Sequence, residues 1–450
     1  MTNFFSDLLS SITDKGRKLV DIGKNEVGLR ETDPVKISHT LLSEKGEASG
    51  TALAADLFSS YENLEVEKKN AFFIALAKDF GPDLEILDEA IKEYQAGPGQ
   101  ISAMALHGAA ESRRQELIRR LNKGPNGTRN LVKIREDLLR VIKDNPDLKS
   151  VDHDFEHLLS SWFNRGFLML ERISWQTPAN ILEKIIRYEA VHEIQSWEDL
   201  RRRIDPPDRR CYAFFHPALI DEPLIFVEVA LSSGIPQAIE PILEEGRAPL
   251  SGSEADTAVF YSISNCQKGL KGISFGSFLI KQVVQTLLQD LPHLKTFVTL
   301  SPVPTFIKWL DMELQKDSSE YITEDQKPLL KSLKKKGWKA EGEAGTQAHT
   351  LLSGLAASYF MHGKDRHGNP FDPVARFHLG NGARLEQINW PGDRSIKAQK
   401  QAASLMVNYL YKLGDIEKNH EAYAKQNKIV ASKKVRGLAK ELPLTDLAVS

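Results

Sequence analysis

Apolar side chains recur three and four positions apart through the first third of the chain. ELIRRLNKG and NLVKIREDLLRVIKD each carry such a stripe between charged faces, the pattern of an amphipathic helix with one buried side. Gly-Pro pairs at 81–82, 97–98 and 124–125 interrupt the stripes and predict turns, because proline cannot continue a helix and glycine permits the bend. The opening MTNFFSDLLSSITDKG spaces Phe5, Leu8, Leu9 and Ile12 at the same period. No fixed-period repeat is found, so residues 1–163 read most simply as an all-helical bundle, with a solenoid as the alternative.

After Trp162 the texture changes. RCYAFFHPALIDEPLIFVEVALS holds two short runs rich in Phe, Val, Ile and Tyr, parted by turn residues around Asp221 to Pro223. TAVFYSIS predicts a further strand, GSFLIKQVVQTLLQDL a helix, and TFVTLSPVP another strand. Strand, helix, strand at this spacing is an α/β signature. The charged stretch from Asp311 to about Gln347 predicts partly exposed helix. PVARFHLGNGARLEQINW reads as a hairpin turning at Asn381-Gly382, with a last helix from about Asp393. Residues 164–450 thus form the second expected domain, and the fold class is α+β.

Composition narrows the function classes. The 450 residues are 41% hydrophobic and 27% charged, with a net charge of −2. That balance gives no global attraction to nucleic acid or to an anionic membrane, so any attraction for an anion must be local. No apolar run reaches the roughly 18–20 residues needed to cross a bilayer. The two cysteines, Cys211 and Cys266, make no disulfide framework and suit a reducing compartment. The N-terminal stretch has no secretory h-region and LTDLAVS is no peroxisomal address, so a cytoplasmic location is expected.

The richest local signal is YSISNCQKGLKGISFGSFLIK, where a strand runs through Gly269, Gly272 and Gly276 into a helix. A helix N-terminus offers unpaired N–H groups and partial positive charge, and glycine lets a phosphate approach them. Lys268 and Lys271 add point charges. The stretch is neither a Walker A loop nor a GxGxxG fingerprint, and glycines also serve tight turns and close packing. Both readings stand at this point. His153, Glu156 and His157 match H-x-x-E-H, but no third ligand follows, and a solvated helix face is the better reading; no metal site is assigned. Ser301, just past a strand, lies where α/β sheets bind ligands, although a serine before proline also simply starts turns. In strand alternation, Phe377 and Leu379 would share one face and leave His378 on the other. His216, before a proline, suggests a turn role, and His362 and His367 read as loop residues.

From Trp162 onward the chain resembles the malonyl-CoA decarboxylase family. The resemblance rests on WFNRGFLMLERISW, YEAVHEIQSWEDLRRR, RRCYAFFHP, VFYSISNCQKGLKGISFGSFLIKQVV, LPHL, TLSPVPTFIKWL, PVARFHLGNGARLEQINW and LMVNYLY. It implies an all-helical oligomerisation domain followed by a catalytic domain of GNAT fold, in which a strand–loop–helix takes the pyrophosphate of coenzyme A. Lys271, Gly272, Ile273, Ser274, Phe275, Gly276 and Ser277 map onto the family's substrate-binding loop. Ser274 stands where animal members carry a glutamate. Ser301 and His378 map onto the two catalytic positions, with His378 as proton donor. The implied reaction converts malonyl-CoA to acetyl-CoA and CO2 with no cofactor, in a homodimer or homotetramer. An acyl-CoA-dependent acyltransferase and a non-catalytic acyl-CoA-binding protein are the alternatives.

Overall fold

The computed structural model describes residues 11–13, 15, 31–275, 279–333 and 342–440. Most of the N-terminal stretch around Phe5, the loop residues Gly276 and Ser277, and the C-terminal LTDLAVS lie outside them. The chain divides into two compact units. The first is Met1–Met169 with Phe215–Leu224 and Gln267–Phe275; the second is Leu170–Phe214, Ile225–Cys266 and Gly276–Ser450.

Between Pro34 and Trp162 the first unit is helix after helix, as the apolar stripes require. The ELIRRLNKG stripe lies in the Arg113–Asn122 helix and buries Leu117, Ile118 and Leu121. NLVKIREDLLRVIKD forms most of Gly127–Val141, whose Leu131, Val132, Ile134 and Leu138 face inward. All three Gly-Pro pairs fall between helices. The Lys149–Trp162 helix closes the core with Val151, Phe155, Leu158 and Leu159.

Two later segments join this unit. His216 holds one of them: its Nε2 lies 3.1 Å from the Trp162 carbonyl, and its Nδ1 accepts the Ala218 N–H. That is the turn role its neighbouring proline suggested. In the other, Arg135 is 1% exposed. Its Nη1 donates to the carbonyls of Gly269 and Lys271, both at 2.9 Å, while its Nε pairs with Asp152. A guanidinium buried so completely is tolerated because Nε meets a carboxylate and Nη1 meets two carbonyls.

The second unit is built on one eight-stranded sheet: β1 (Met169–Ile173), β2 (Arg209–Phe215), β3 (Ile225–Ser232), β4 (Thr257–Asn265), β5 (Thr296–Thr299), β6 (Ser301–Pro302), β7 (Arg384–Asn389) and β8 (Met406–Leu410). The path runs β1-β2-β3-β4-β5-β8-β6, with β7 also on β8. β2, β3 and β4 pair antiparallel. The strand–loop–helix–strand expected at the centre is present as β4, the loop, helix Leu279–Asp290 and β5. β4 and β5 pair in parallel only over residues 257–260 and 296–299, which leaves the far half of β4 free of β5. β3 is buried along nearly its whole length, the mark of a strand covered on both faces. The fold class is therefore α+β, a helical region followed by a mixed-sheet region.

Three expectations give way. PVARFHLG is helix Pro373–Gly380, not a strand of a hairpin. Asp372 caps it by accepting the N–H groups of Val374 and Ala375, and Pro373 occupies its first turn; this is a strong helix start. Gly382, at φ +81°, follows the end of that helix and precedes β7. The helix expected from Asp393 is Ile396–Ala402, and it is not the last: β8 and helices Ile416–Gln426 and Lys433–Lys440 follow. His362 ends helix Gly342–His362 instead of lying in a loop. His367 does lie in a turn, its N–H donating to Asp365. The charged stretch is helical over Phe306–Leu314 and Lys327–Leu333.

Candidate active site

The glycine stretch shows what each residue does. A Cβ on Gly269 would sit 1.9 Å from the Val132 carbonyl oxygen, so that glycine permits close approach of a helix backbone. Gly272 has φ +87°, a conformation L side chains avoid. These two glycines therefore serve packing and turning, the simpler of the two readings. Lys271 and Ser274 are exposed, while Ile273 is buried and its N–H donates to the Leu270 carbonyl. Glu156, from the H-x-x-E-H match, points its Oε1 toward Gly272, 3.6 Å from where a Cβ would be. Lys271 to Phe275 belong to the first unit.

Ser301 and His378, in the second unit, come together. Ser301 Oγ and His378 Nε2 are 3.1 Å apart although 77 residues separate them. Backbone register explains how. Thr299 ends β5 and Ser301 opens β6, two residues on and therefore on the same side. Tyr409 and Tyr411 stand in the same relation at the end of β8. The imidazole sits in the last turn of Pro373–Gly380 and stacks on the Tyr409 ring, with centroids 4.5 Å apart and planes at 26°. Tyr411 Oη lies 2.9 Å from His378 Nδ1. On the other side Ser301 Oγ donates to Thr299 Oγ1 at 2.9 Å, which also accepts the Tyr409 N–H.

This network fixes the tautomer. With the serine proton on Thr299, His378 must present Nε2–H to Ser301 and accept the Tyr411 hydroxyl at Nδ1. The hydrogen bonds therefore run in one direction, from Tyr411 through His378 and Ser301 to Thr299. Burial governs the charge. His378 is 2% exposed, and loss of solvation lowers its pKa to about 3. The same cause pushes the Tyr411 phenol well above its ordinary value. At neutral pH the resting site is an uncharged phenol–imidazole–hydroxyl line.

The helix that delivers His378 is itself anchored. Besides its capping bonds, Asp372 accepts from Thr305 Oγ1 and Tyr359 Oη, each at 3.2 Å. Those two hydroxyls are 2.7 Å apart. Burial raises the Asp372 pKa, against the lowering effect of these hydrogen bonds.

Sequence reasoning named Ser301 and His378 but missed Thr299, Tyr409 and Tyr411. The signal was available in T-L-S and Y-L-Y, where alternation in an extended segment puts two hydroxyl-bearing residues on one side.

A helical region, a mixed sheet, and a buried hydroxyl–imidazole pair at the sheet's strand ends define a two-part α+β protein with one buried line of hydrogen-bonded polar side chains. Comparison with known proteins gives the family. The model of the malonyl-CoA decarboxylase C-terminal domain matches residues 166–447, and that of the N-terminal domain residues 80–163. Malonyl-CoA decarboxylase, mitochondrial, of Anser anser anser is 36% identical over 426 residues, covering 87% of this chain and 84% of its own. The Rattus norvegicus protein of the same name is 34% identical over 431 residues, covering 88% and 87%. The crystal structure of malonyl-CoA decarboxylase from Rhodopseudomonas palustris is 55% identical with a TM-score of 0.88, covering 90% of this chain and 98% of its own. That from Agrobacterium vitis is 52% identical with a TM-score of 0.86, covering 90% and 99%. The chain belongs to the malonyl-CoA decarboxylase family.

Proposed function

We propose that the protein decarboxylates malonyl-CoA to acetyl-CoA and CO2, using Ser301 and His378. The observation that carries the reading is the 3.1 Å contact between those two side chains, in a chain of this family. Loss of CO2 leaves an electron pair shared between C2 and the thioester oxygen. The site must hold the breaking bond perpendicular to the thioester plane, stabilise the enolate oxygen and deliver a proton to C2.

Burial leaves His378 uncharged in the free protein, so its proton must be acquired when substrate arrives. A malonyl carboxylate beside the imidazole favours the charged form. Nδ1 then carries a proton, and the Tyr411 hydroxyl turns from donor to acceptor, which a hydroxyl can do by rotation. After CO2 leaves, the Ser301 hydroxyl gives its proton to C2 and takes the one on Nε2, leaving His378 neutral with its proton on Nδ1. Loss of that proton to solvent and uptake of another at Nε2 restores the resting tautomer. The balance is one malonyl-CoA carboxylate and one proton consumed, one acetyl-CoA and one CO2 released. The reading assigns no cofactor.

The substrate loop, Lys271 to Ser277, takes the coenzyme A phosphates in this reading. Its support is the Arg135 anchor, which draws the Gly269 and Lys271 carbonyls to one guanidinium. Assembly into a homodimer or homotetramer through the helical region is supported by helix Gln100–Ala110. It buries none of its residues and leaves Ile101 86% and Met104 75% exposed. A cytoplasmic location is supported by Cys211 and Cys266, both buried and free, as a reducing compartment favours; the animal relatives are named mitochondrial. Among the described residues no helix is long and apolar enough to cross a membrane.

The test is direct: purified protein is incubated with malonyl-CoA alone, and acetyl-CoA and CO2 are followed. Equimolar release of both supports the reading. Binding without turnover, or turnover only when an amine acceptor is added, overturns it.

A further inference from the structure

Five basic side chains converge on one concavity of the second unit. Arg384, Lys412, Lys418, Lys428 and Arg436 line a space of ≈ 320 Å³, in which Asp415 is the one carboxylate among the described residues. Arg384 is matched by Glu386 at 2.7 Å and Lys412 by Asp415 at 3.1 Å. Lys418, Lys428 and Arg436 have no carboxylate partner among the described residues. Gathering like charges costs free energy, and more so where the concave wall keeps their fields together. The chain as a whole is slightly acidic, at −2, so the gathering is local.

The concavity has a fixed floor. Ile429 and Ala431 are buried, and their segment is tied to β7 by Leu385 N–H to the Val430 carbonyl and Ser432 N–H to the Leu385 carbonyl, both at 2.9 Å. Asn427, at φ +49°, ends helix Ile416–Gln426 and turns Lys428 back over that floor. The Arg436 guanidinium fork and the Lys418 and Lys428 point charges, with the paired Arg384 and Lys412 beside them, suit the oxygens of phosphate groups. The volume suits a nucleotide-sized ligand better than a lone ion. Lys281, in the first turn of Leu279–Asp290, pairs with Glu417 beside Lys418. The concavity therefore adjoins the helix that follows the glycine stretch.

We propose that this concavity is a binding site for phosphoryl groups carried on a nucleotide-sized molecule. Two sources share that chemistry: the 3′-phosphorylated nucleotide of the substrate itself, and a separate phosphate-bearing metabolite. The first rests on the function proposed above; the second does not.

The probes are adenosine 3′,5′-bisphosphate and inorganic pyrophosphate, titrated calorimetrically into the full chain and into Lys418→Ala/Lys428→Ala. Both side chains are exposed, so the variant should melt as the parent does; Lys418→Gln/Lys428→Gln serves as a second variant. The parent should bind at least one probe, with affinity that falls as salt rises. Removing two charges should weaken it about tenfold or more. Failure of both probes to bind at millimolar concentration, or equal binding by parent and both variants, overturns the proposal. The source is read from KM. An increase for malonyl-CoA but not for its 3′-dephospho form assigns the site to the substrate. An unchanged KM with lost probe binding assigns it to a separate molecule. Probe binding by a protein that does not turn over malonyl-CoA would sink the functional reading and leave this site standing.

Discussion

Tyr411→Phe isolates one hydrogen bond of the candidate site. The substitution keeps the ring, which packs in the core at 1% exposure, and removes only the hydroxyl 2.9 Å from His378 Nδ1. Because the imidazole is buried, no water replaces the lost donor. A buried acceptor left unsatisfied costs about 1–3 kcal/mol. Part of that cost can be escaped by flipping the tautomer, which moves the proton to Nδ1 and takes it from Ser301. Either way the productive arrangement becomes less favourable by about 1–3 kcal/mol, and at 1.36 kcal/mol per decade kcat should fall roughly 5- to 150-fold. KM should stay within about twofold, because Tyr411 touches His378 and not the substrate in the proposed mechanism. The assay is steady-state acetyl-CoA formation from malonyl-CoA, with thermal melting in parallel. A lower melting temperature with unchanged kcat would show that Tyr411 only packs, and would refute the proton line. A raised KM at constant kcat would refute it as well.

Other outcomes follow from the same geometry. Ser301→Ala and His378→Asn should each lower kcat at least ~100-fold with the fold retained; near-normal turnover in either removes that residue from the mechanism. Lys271→Ala should raise KM for malonyl-CoA on the order of fivefold, with the difference shrinking as salt rises; a salt-independent effect would take its charge out of phosphate binding. Gly269→Ala forces a Cβ onto the Val132 carbonyl and should destabilise by about 1–3 kcal/mol or more, read as a lower melting temperature; an unchanged one contradicts the packing. The His378 pKa of about 3 lies below its unfolded value near 6.5, so the unfolded chain takes the proton first. Stability from the buried neutral ring is full above pH ~6.5 and falls about 1.4 kcal/mol per unit toward pH 3. His378→Asn should flatten that part of the acid-unfolding profile; parallel profiles would show that the ring is charged or solvated when folded.

How much of this was legible varies with the range of the forces involved. The strands β2 to β5 are readable because burial leaves short, nearly unbroken apolar runs, and helix Leu279–Asp290 because its buried Leu279, Ile280, Val283, Val284 and Leu287 recur at helical spacing. The helix bearing His378 was misread because R-F-H-L-G alternates like a strand and Asn-Gly reads as a hairpin. Yet Asp372-Pro373 is a helix start, and it outweighed eight residues of ambiguous periodicity. Ser301 and His378 were reached through resemblance, since no local pattern tells a reactive serine from one that begins a turn. Tyr411 and Thr299 follow from alternation once a strand is granted. The contact of Arg135 with Gly269 spans 134 residues, and nothing near either position announces it.

That contact carries a consequence for how the chain can be cut. A fragment starting at residue 166, where the C-terminal family match begins, would keep the serine, the imidazole and both tyrosines. It would lose the guanidinium that grips the peptide carbonyls on either side of Leu270, and the helix backbone against which Gly269 lies. On the proposed mechanism, such a fragment would retain the serine–imidazole pair but leave the phosphate-binding loop without its anchor. The helical third thus fixes the backbone at Gly269 and Lys271, and a cut at residue 166 would be felt there first.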